Sequence, residues 1–200
     1  MKPRLLITGT FLLTAWFVQA QGTFVHDQQS TNVIEQYAGL QSDQPMGQSF
    51  TPSLSTVAFV EMFLYDGNIF QTLGATVRVN LRSNSITGPL LGATSSVFLP
   101  DGFFGVTNFV FAAPANVTPG ATYYLEPVIE SGSTGVMSFV TDGSYAGGSR
   151  IFQGLPIAGQ NLWFREGIIV PEPSTMTLLL GGAAVWLVRQ RCRGSTRKRQ

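Results

Sequence analysis

The side chains able to do chemistry are few and poorly assembled for catalysis. His26 is the only histidine and lies in a polar stretch that reads as a mobile lead-in, while Cys192, the only cysteine, lies close to the other end. A Ser-His-Asp or Cys-His device needs a base held beside its nucleophile, so no catalytic residue is assigned. A glycosidase needs only two carboxylates at the correct separation, and the chain has 11 Asp and Glu residues. Glu61, Glu126 and Glu130 fall in strand-like stretches, where an ordinary solvated face accounts for them without catalysis. Asp27, Glu35 and Asp43, or Asp142 beside a Gly-rich loop, supply oxygen atoms that a structural calcium ion accepts. No EF-hand spacing and no His/Cys cluster for zinc is present, so no metal ligand and no other cofactor is assigned. Sugar binding asks for an exposed ring with hydrogen-bonding groups beside it. Tyr145, Phe152 and Trp163, with Arg150, Gln160 and Asn161 nearby, are the candidates for carbohydrate contact, although Phe and Trp at alternating strand positions are more often core.

The elements that must position these residues are strands. From Thr76 to Arg82, Val77, Val79 and Leu81 alternate with Thr76, Arg78, Asn80 and Arg82, the period of a half-buried strand. Further strands are expected at 46–51, 56–65, 94–99, 106–112, 121–130, 135–141 and 161–169, separated by Asp66-Gly67-Asn68, Gly88-Pro89, Pro100-Asp101-Gly102, Pro119-Gly120, Asp142-Gly143 and Gly147-Gly148. The run Val57 to Tyr65 is apolar on both faces apart from Glu61 and so belongs in the middle of a sheet. Many short strands at regular spacing predict an all-β, two-sheet antiparallel sandwich, jelly-roll-like. An immunoglobulin-type sandwich is the alternative, without the Cys-Trp-Cys spacing.

This domain spans 21–169 and is bracketed by two apolar segments. In 1–20, Lys2 and Arg4 precede the apolar run Leu5 to Val18, and Val18-Gln19-Ala20 offers small residues to a signal peptidase, placing the cut between Ala20 and Gln21. The region 170–200 has three parts. Val170, Pro171, Glu172, Pro173 and Ser174 form a short hinge, extended because each proline restricts itself and the residue before it. Residues 175–188 are uncharged and read as a transmembrane helix, and 189–200 are rich in arginine. The positive-inside rule keeps that basic end cytoplasmic. The uncharged run spans only about 20 Å against a hydrocarbon core of about 30 Å, so the anchor is marginal and suits a transient attachment.

Charge follows the same division. Residues 21–172 carry four arginines and all 11 carboxylates, a formal charge of 4 − 11 = −7, which the near-neutral total conceals. A Lys-free acidic domain excludes nucleic acid as a partner, because such binding rests on phosphate neutralisation by Lys and Arg.

The order V-P-E-P-S-T, short apolar span, Arg-rich end resembles the PEP-CTERM sorting signal of Gram-negative bacteria over about the last thirty residues. The resemblance implies Sec export, transient anchoring in the inner membrane through lipid contact, processing near Pro171–Pro173 by a membrane-embedded exosortase-type peptidase, and delivery to the cell surface or beyond. Cargo domains of that family are diverse, and many are thought to accompany exopolysaccharide or biofilm matrix. The implied function is a non-enzymatic surface or matrix protein; a carbohydrate-binding module is the alternative, and a glycan-active enzyme a third reading.

Overall fold

The computed structural model describes residues 22–68 and 72–171. The expected signal peptide lies outside these residues, as does the expected sorting tail after Pro171; Val170, placed in its hinge, instead ends a strand. The strands are β1 (Thr23–Ser30), β2 (Val33–Gly39), β3 (Gly47–Phe50), β4 (Thr56–Asp66), β5 (Ala75–Ser83), β6 (Leu90–Ala93) and β7 (Val97–Leu99), followed by β8 (Phe104–Asn116), β9 (Tyr123–Gly132), β10 (Val136–Thr141), β11 (Arg150–Phe152), β12 (Leu155–Ile157), β13 (Asn161–Leu162) and β14 (Phe164–Val170). They form two antiparallel sheets. The first contains β1, β14, β4, β8, β10, β2 and β13; the second runs β12-β11-β3-β9-β5-β6, with β7 also on β5. From β2 onward the chain alternates between the sheets: β3 second, β4 first, β5–β7 second, β8 first, β9 second, β10 first, β11–β12 second, β13–β14 first.

β4 organises the first sheet because it is buried on both faces, as its unbroken apolar run requires. Its inward residues Val57, Val60, Met62 and Leu64 join Val77, Val79, Leu81 and Leu125 of the second sheet in one hydrophobic core with Phe50, Phe109 and Phe164. Its outward residues include Phe59, Glu61, Phe63 and Tyr65. One edge of β4 pairs with β8 from Thr56 to Tyr65. The other is shared end to end, β14 lying beside Phe59–Met62 and β10 beside Leu64–Asp66. A bend at Trp163 separates β13 from β14, and β13 turns away to pair with β10. Gln48 bridges the two sheets: its Nε2 donates to Asn161 Oδ1 at 2.7 Å and its Oε1 accepts from Leu162 N at 2.7 Å.

The expected strands around β3, β4, β5, β8, β9 and β10 are present with small changes of boundary. Others need correcting. The polar lead-in containing His26 is two strands, β1 and β2, paired with β14 and β10. The single strand expected over 94–99 is β7 alone, because the chain first turns toward β8: Thr94 forms an isolated bridge with Phe111 and Ser95 N donates to Val110 O at 2.9 Å. The strand expected over 161–169 is broken at Trp163.

Candidate functional site

The outward face of the first sheet carries the main concentration of chemistry. Strand alternation sets Phe59, Glu61, Phe63 and Tyr65 on one face of β4, opposite Val110, Asn108, Val106 and Phe104 on β8. On its other flank Gly167 faces Phe59 and Arg165 faces Glu61. Phe139 of β10 and its partner Tyr37 of β2 complete the surface.

Six rings join there in a continuous cluster. Trp163 meets Phe63 edge-on at 5.9 Å, and Phe63 contacts Phe139 at 4.3 Å and Phe104 at 5.1 Å. Tyr37 packs against Phe139 at 4.9 Å and Tyr65 at 5.8 Å, while Tyr65 reaches Phe104 at 6.1 Å. These offset and edge-to-face contacts hold the rings in fixed orientations. Phe139 and Trp163 are buried at the base, whereas Tyr37 and Phe104 are 49% and 63% exposed. The cluster therefore has a buried root and an exposed crown.

A polar row crosses the same face beside the rings. Glu61 Oε2 accepts from Arg165 Nη1 at 3.3 Å and lies 3.3 Å from His26 Nε2. The Arg165 guanidinium also sits 4.9 Å from the centre of the Trp163 ring, which places a cation on the ring's negative π face. Gln29 and Asn108, opposite Arg165 and Glu61 respectively, extend the row in both directions and are exposed.

A second cluster lies at the β1–β14 seam. A β-bulge between His26 and Gln28 adds one residue to β1, which re-aims Asp27. Asp27 Oδ2 accepts from Ser53 N at 2.7 Å and Leu54 N at 3.0 Å, and its Oδ1 accepts from the Ser53 hydroxyl. Partial burial opposes ionisation of Asp27, but these bonds together outweigh it and hold the carboxyl below its ordinary range. Glu166, opposite Val60 on the inward face of β14, is fully buried, and neither of its oxygens has a hydrogen-bond donor. Burial first, and then the charge of Asp27, push its pKa up to about 8. Burial also pushes Tyr145 up to about 12, against the hydrogen bond that Thr51 N donates to its hydroxyl at 3.0 Å. The buried acid Glu166 has no exposed surface to offer a substrate.

The three aromatic residues singled out from sequence occupy different places. Trp163 is 5% exposed at the root of the ring cluster, and Tyr145 packs edge-on against Phe164 at 5.3 Å beside the core. Phe152 lies in β11 of the second sheet, where Arg150 stacks on it at 5.4 Å. No ring contact joins the three among the described residues. Tyr37, Tyr65, Phe63, Phe104 and Phe139 were missed. Phe63 and Tyr65 stand two apart in an identified strand, a signal that could have found them. Tyr37 was hidden in the segment read as mobile.

The carboxylates considered for acid–base or calcium chemistry are mostly engaged within the fold. Glu126 bonds Arg82 at 2.7 Å, Glu130 bonds Arg78 at 3.0 Å, and Asp43 bonds Arg150 at 3.2 Å. With Arg165 on Glu61, all four described arginines are ion-paired. Asp142 is held below its ordinary range mainly by Ser144, and Glu35 is exposed on β2. Among the described residues no three His, Cys, Asp or Glu side chains gather as a metal site, and no helix is long and apolar enough to cross a membrane. Val170 ends β14 and Pro171 follows it outside the sheet; Ala20, Gln21, Glu172, Pro173 and Ser174 lie outside the described residues. Compared with known proteins, the chain matches no family model and no curated sequence.

Proposed function

We propose that this chain is an exported bacterial surface or extracellular-matrix protein whose jelly-roll-like domain acts by binding, without catalysis, and whose C-terminal region is a PEP-CTERM-like sorting signal. The observation that carries the reading is where the folded unit begins and ends. The compact unit runs from Thr23 to Val170. It starts two residues after Gln21, the proposed first residue after signal-peptide cleavage, and ends immediately before Pro171, the first proline of the proposed processing motif. Both cuts would fall outside the strand ladder, so neither removes a paired residue.

In this reading a signal peptidase cuts after Ala20, residues 175–188 hold the protein in the inner membrane, and an exosortase-type peptidase acts near Pro171-Glu172-Pro173. The alternation of the chain between sheets supports the jelly-roll-like description. The second reading, a carbohydrate-binding module associated with exopolysaccharide, is favoured by the exposed ring cluster on the first sheet.

Intact-mass analysis of the extracellular protein from its native host tests the sorting reading. A product beginning at Gln21 and ending near Pro171–Pro173 is expected, with accumulation of the uncut form when Pro171 and Glu172 are both changed to Ala. Persistence of the chain to Gln200 in every fraction, or unchanged processing of the double variant, would sink it.

A further inference from the structure

We propose that the outward face of the first sheet is a binding surface for an uncharged polysaccharide, with Tyr37, Tyr65 and Phe104 as stacking rings and the Gln29–Arg165–Glu61–Asn108 row as its hydrogen-bonding rim. The proposal rests on the reading of the domain as one that binds rather than reacts.

Geometry supplies the platform. Tyr37 stands on β2, Tyr65 on β4 and Phe104 on β8, with β10 between the first two. The Tyr37 and Phe104 rings each contact Phe139, at 4.9 and 5.6 Å, and Tyr65 lies 5.8 Å from the first and 6.1 Å from the second, so the three ring centres lie within about 10.5 Å of one another. That length accommodates a segment of an extended chain of pyranose rings rather than a single sugar. The rings are oriented before any ligand arrives: Phe139 braces Tyr37, Phe63 and Phe139 brace Phe104, and Tyr65 is held between Tyr37 and Phe104. Preorganisation of this kind removes part of the ordering cost of binding. A pyranose ring presents C–H bonds on its faces and hydroxyls around its rim. The rings serve the first, and the row crossing β4 at Glu61, four residues and so about 13 Å from Tyr65, serves the second on a polymer long enough to reach both.

Charge selects the class of polymer. The chain has no lysine between residues 21 and 172, and each described arginine already serves a carboxylate. Freeing one for a uronate, sulfate or phosphate would strand a partly buried carboxylate such as Glu61, 12% exposed at its side chain. The −7 formal charge of the exported region repels polyanions as well. The same polar row argues against an apolar occupant. A second copy of this sheet or a lipid surface would bury Gln29, Arg165 and Asn108 without replacing their hydration, whereas sugar hydroxyls replace it.

Affinity electrophoresis at neutral pH tests the proposal, using protein recovered from the host in whatever processed form it occurs. Gels would contain hydroxyethylcellulose, galactomannan or mixed-linkage β-glucan as uncharged polymers, and alginate or polygalacturonate as polyanions. Retardation by at least one uncharged polymer is expected. Tyr37→Ala and Phe104→Ala should each weaken it by roughly tenfold, with the folded state retained at assay temperature, since the two rings are 49% and 63% exposed and their loss costs about 1 kcal/mol of packing. Leu155→Ala, an exposed apolar residue of the second sheet, should bind as the parent does. Retardation confined to polyuronates, retardation in no gel, or wild-type retardation of both ring variants would overturn the proposal. So would sedimentation showing that the ring variants dissociate a dimer. Release of reducing ends from a gel polymer would overturn the non-catalytic reading alone, and a tail that persists to Gln200 would overturn the sorting reading alone.

Discussion

Glu166 and Asp27 meet at the β1–β14 seam as a buried acid and a held carboxylate. Two ionised carboxylates repel, and both would only accept hydrogen bonds. A proton kept on Glu166 removes the repulsion, so burial first and then the nearby charge of Asp27 raise the Glu166 pKa. The pair is thus a structural proton site, and its consequence is a dependence of stability on pH.

The sign follows from the shift. Glu166 titrates near 4.5 when unfolded and near 8 when folded, so the folded protein holds an extra proton between those values. Its contribution is fully present below about pH 4.5 and is lost as pH rises through about 8. Asp27, with its lowered pKa, contributes the opposite slope, and its stabilisation disappears in strong acid. Stability should peak in mildly acidic solution. Glu166→Gln removes the titration, so it should flatten the decline between about pH 4.5 and 8 and raise stability at pH 7 by up to about 3 kcal/mol. Denaturant melts of both proteins between pH 4 and pH 9 check this; parallel curves would refute it.

Gln48 makes three hydrogen bonds from a fully buried position: its Nε2 donates to Ser49 O and Asn161 Oδ1, and its Oε1 accepts from Leu162 N. Gln48→Leu keeps similar bulk but strands the Leu162 amide and the Asn161 carbonyl. A loss of about 2–4 kcal/mol is expected in chemical denaturation. A loss below about 0.5 kcal/mol, the scale of ordinary surface substitutions, would show that the sheets do not depend on this link.

Arg165 covers Trp163 while bonded to Glu61. Arg165→Ala should uncover the indole and cost about 1 kcal/mol, since the guanidinium is only partly shielded from water. Trp163 is the only tryptophan between residues 21 and 170, so the trimmed protein reports the change as a red shift in fluorescence emission. Arg165→Lys should restore the charge beside Glu61 while leaving most of the red shift, because an ammonium lacks a flat face.

Gly167 faces the bulge in β1. A Cβ there would lie 2.0 Å from the Val25 carbonyl oxygen and 3.0 Å from Asp27 N, so Gly167→Ala must push β1 off β14. A destabilisation of about 2 kcal/mol or more is expected, with faster proteolysis inside β1. Equal melting temperatures and equal protease resistance would contradict the tight approach.

The middle of the fold was legible because its strands are half-buried and therefore written in alternation. Val77, Val79 and Leu81 face the core and their neighbours do not. β4 announced its central place by being apolar on both faces from Val57 to Tyr65 apart from Glu61. β1 and β2 were not legible, because few of their residues are buried and β1 breaks its own period at the bulge. β11 and β12, three residues each, are too short to display a period and sit among glycines. The ring cluster stayed hidden for a different reason. Its members come from β2, β4, β8, β10 and the Trp163 bend, and only strand order brings them together.

Thr23 and Val170 are directly paired at the ends of the two terminal strands. A pull applied between the ends of the domain would load this antiparallel ladder one hydrogen-bonded pair at a time, as a zipper is opened, instead of shearing all its bonds at once. Held at both ends under tension, the domain would yield by peeling β1 away from β14, taking Phe24 and His26 off the sheet and opening the cover over Phe59. Held at one end, the same seam carries no end-to-end load. The number of tethers therefore sets the mechanical resistance of the domain before any change in its sequence does.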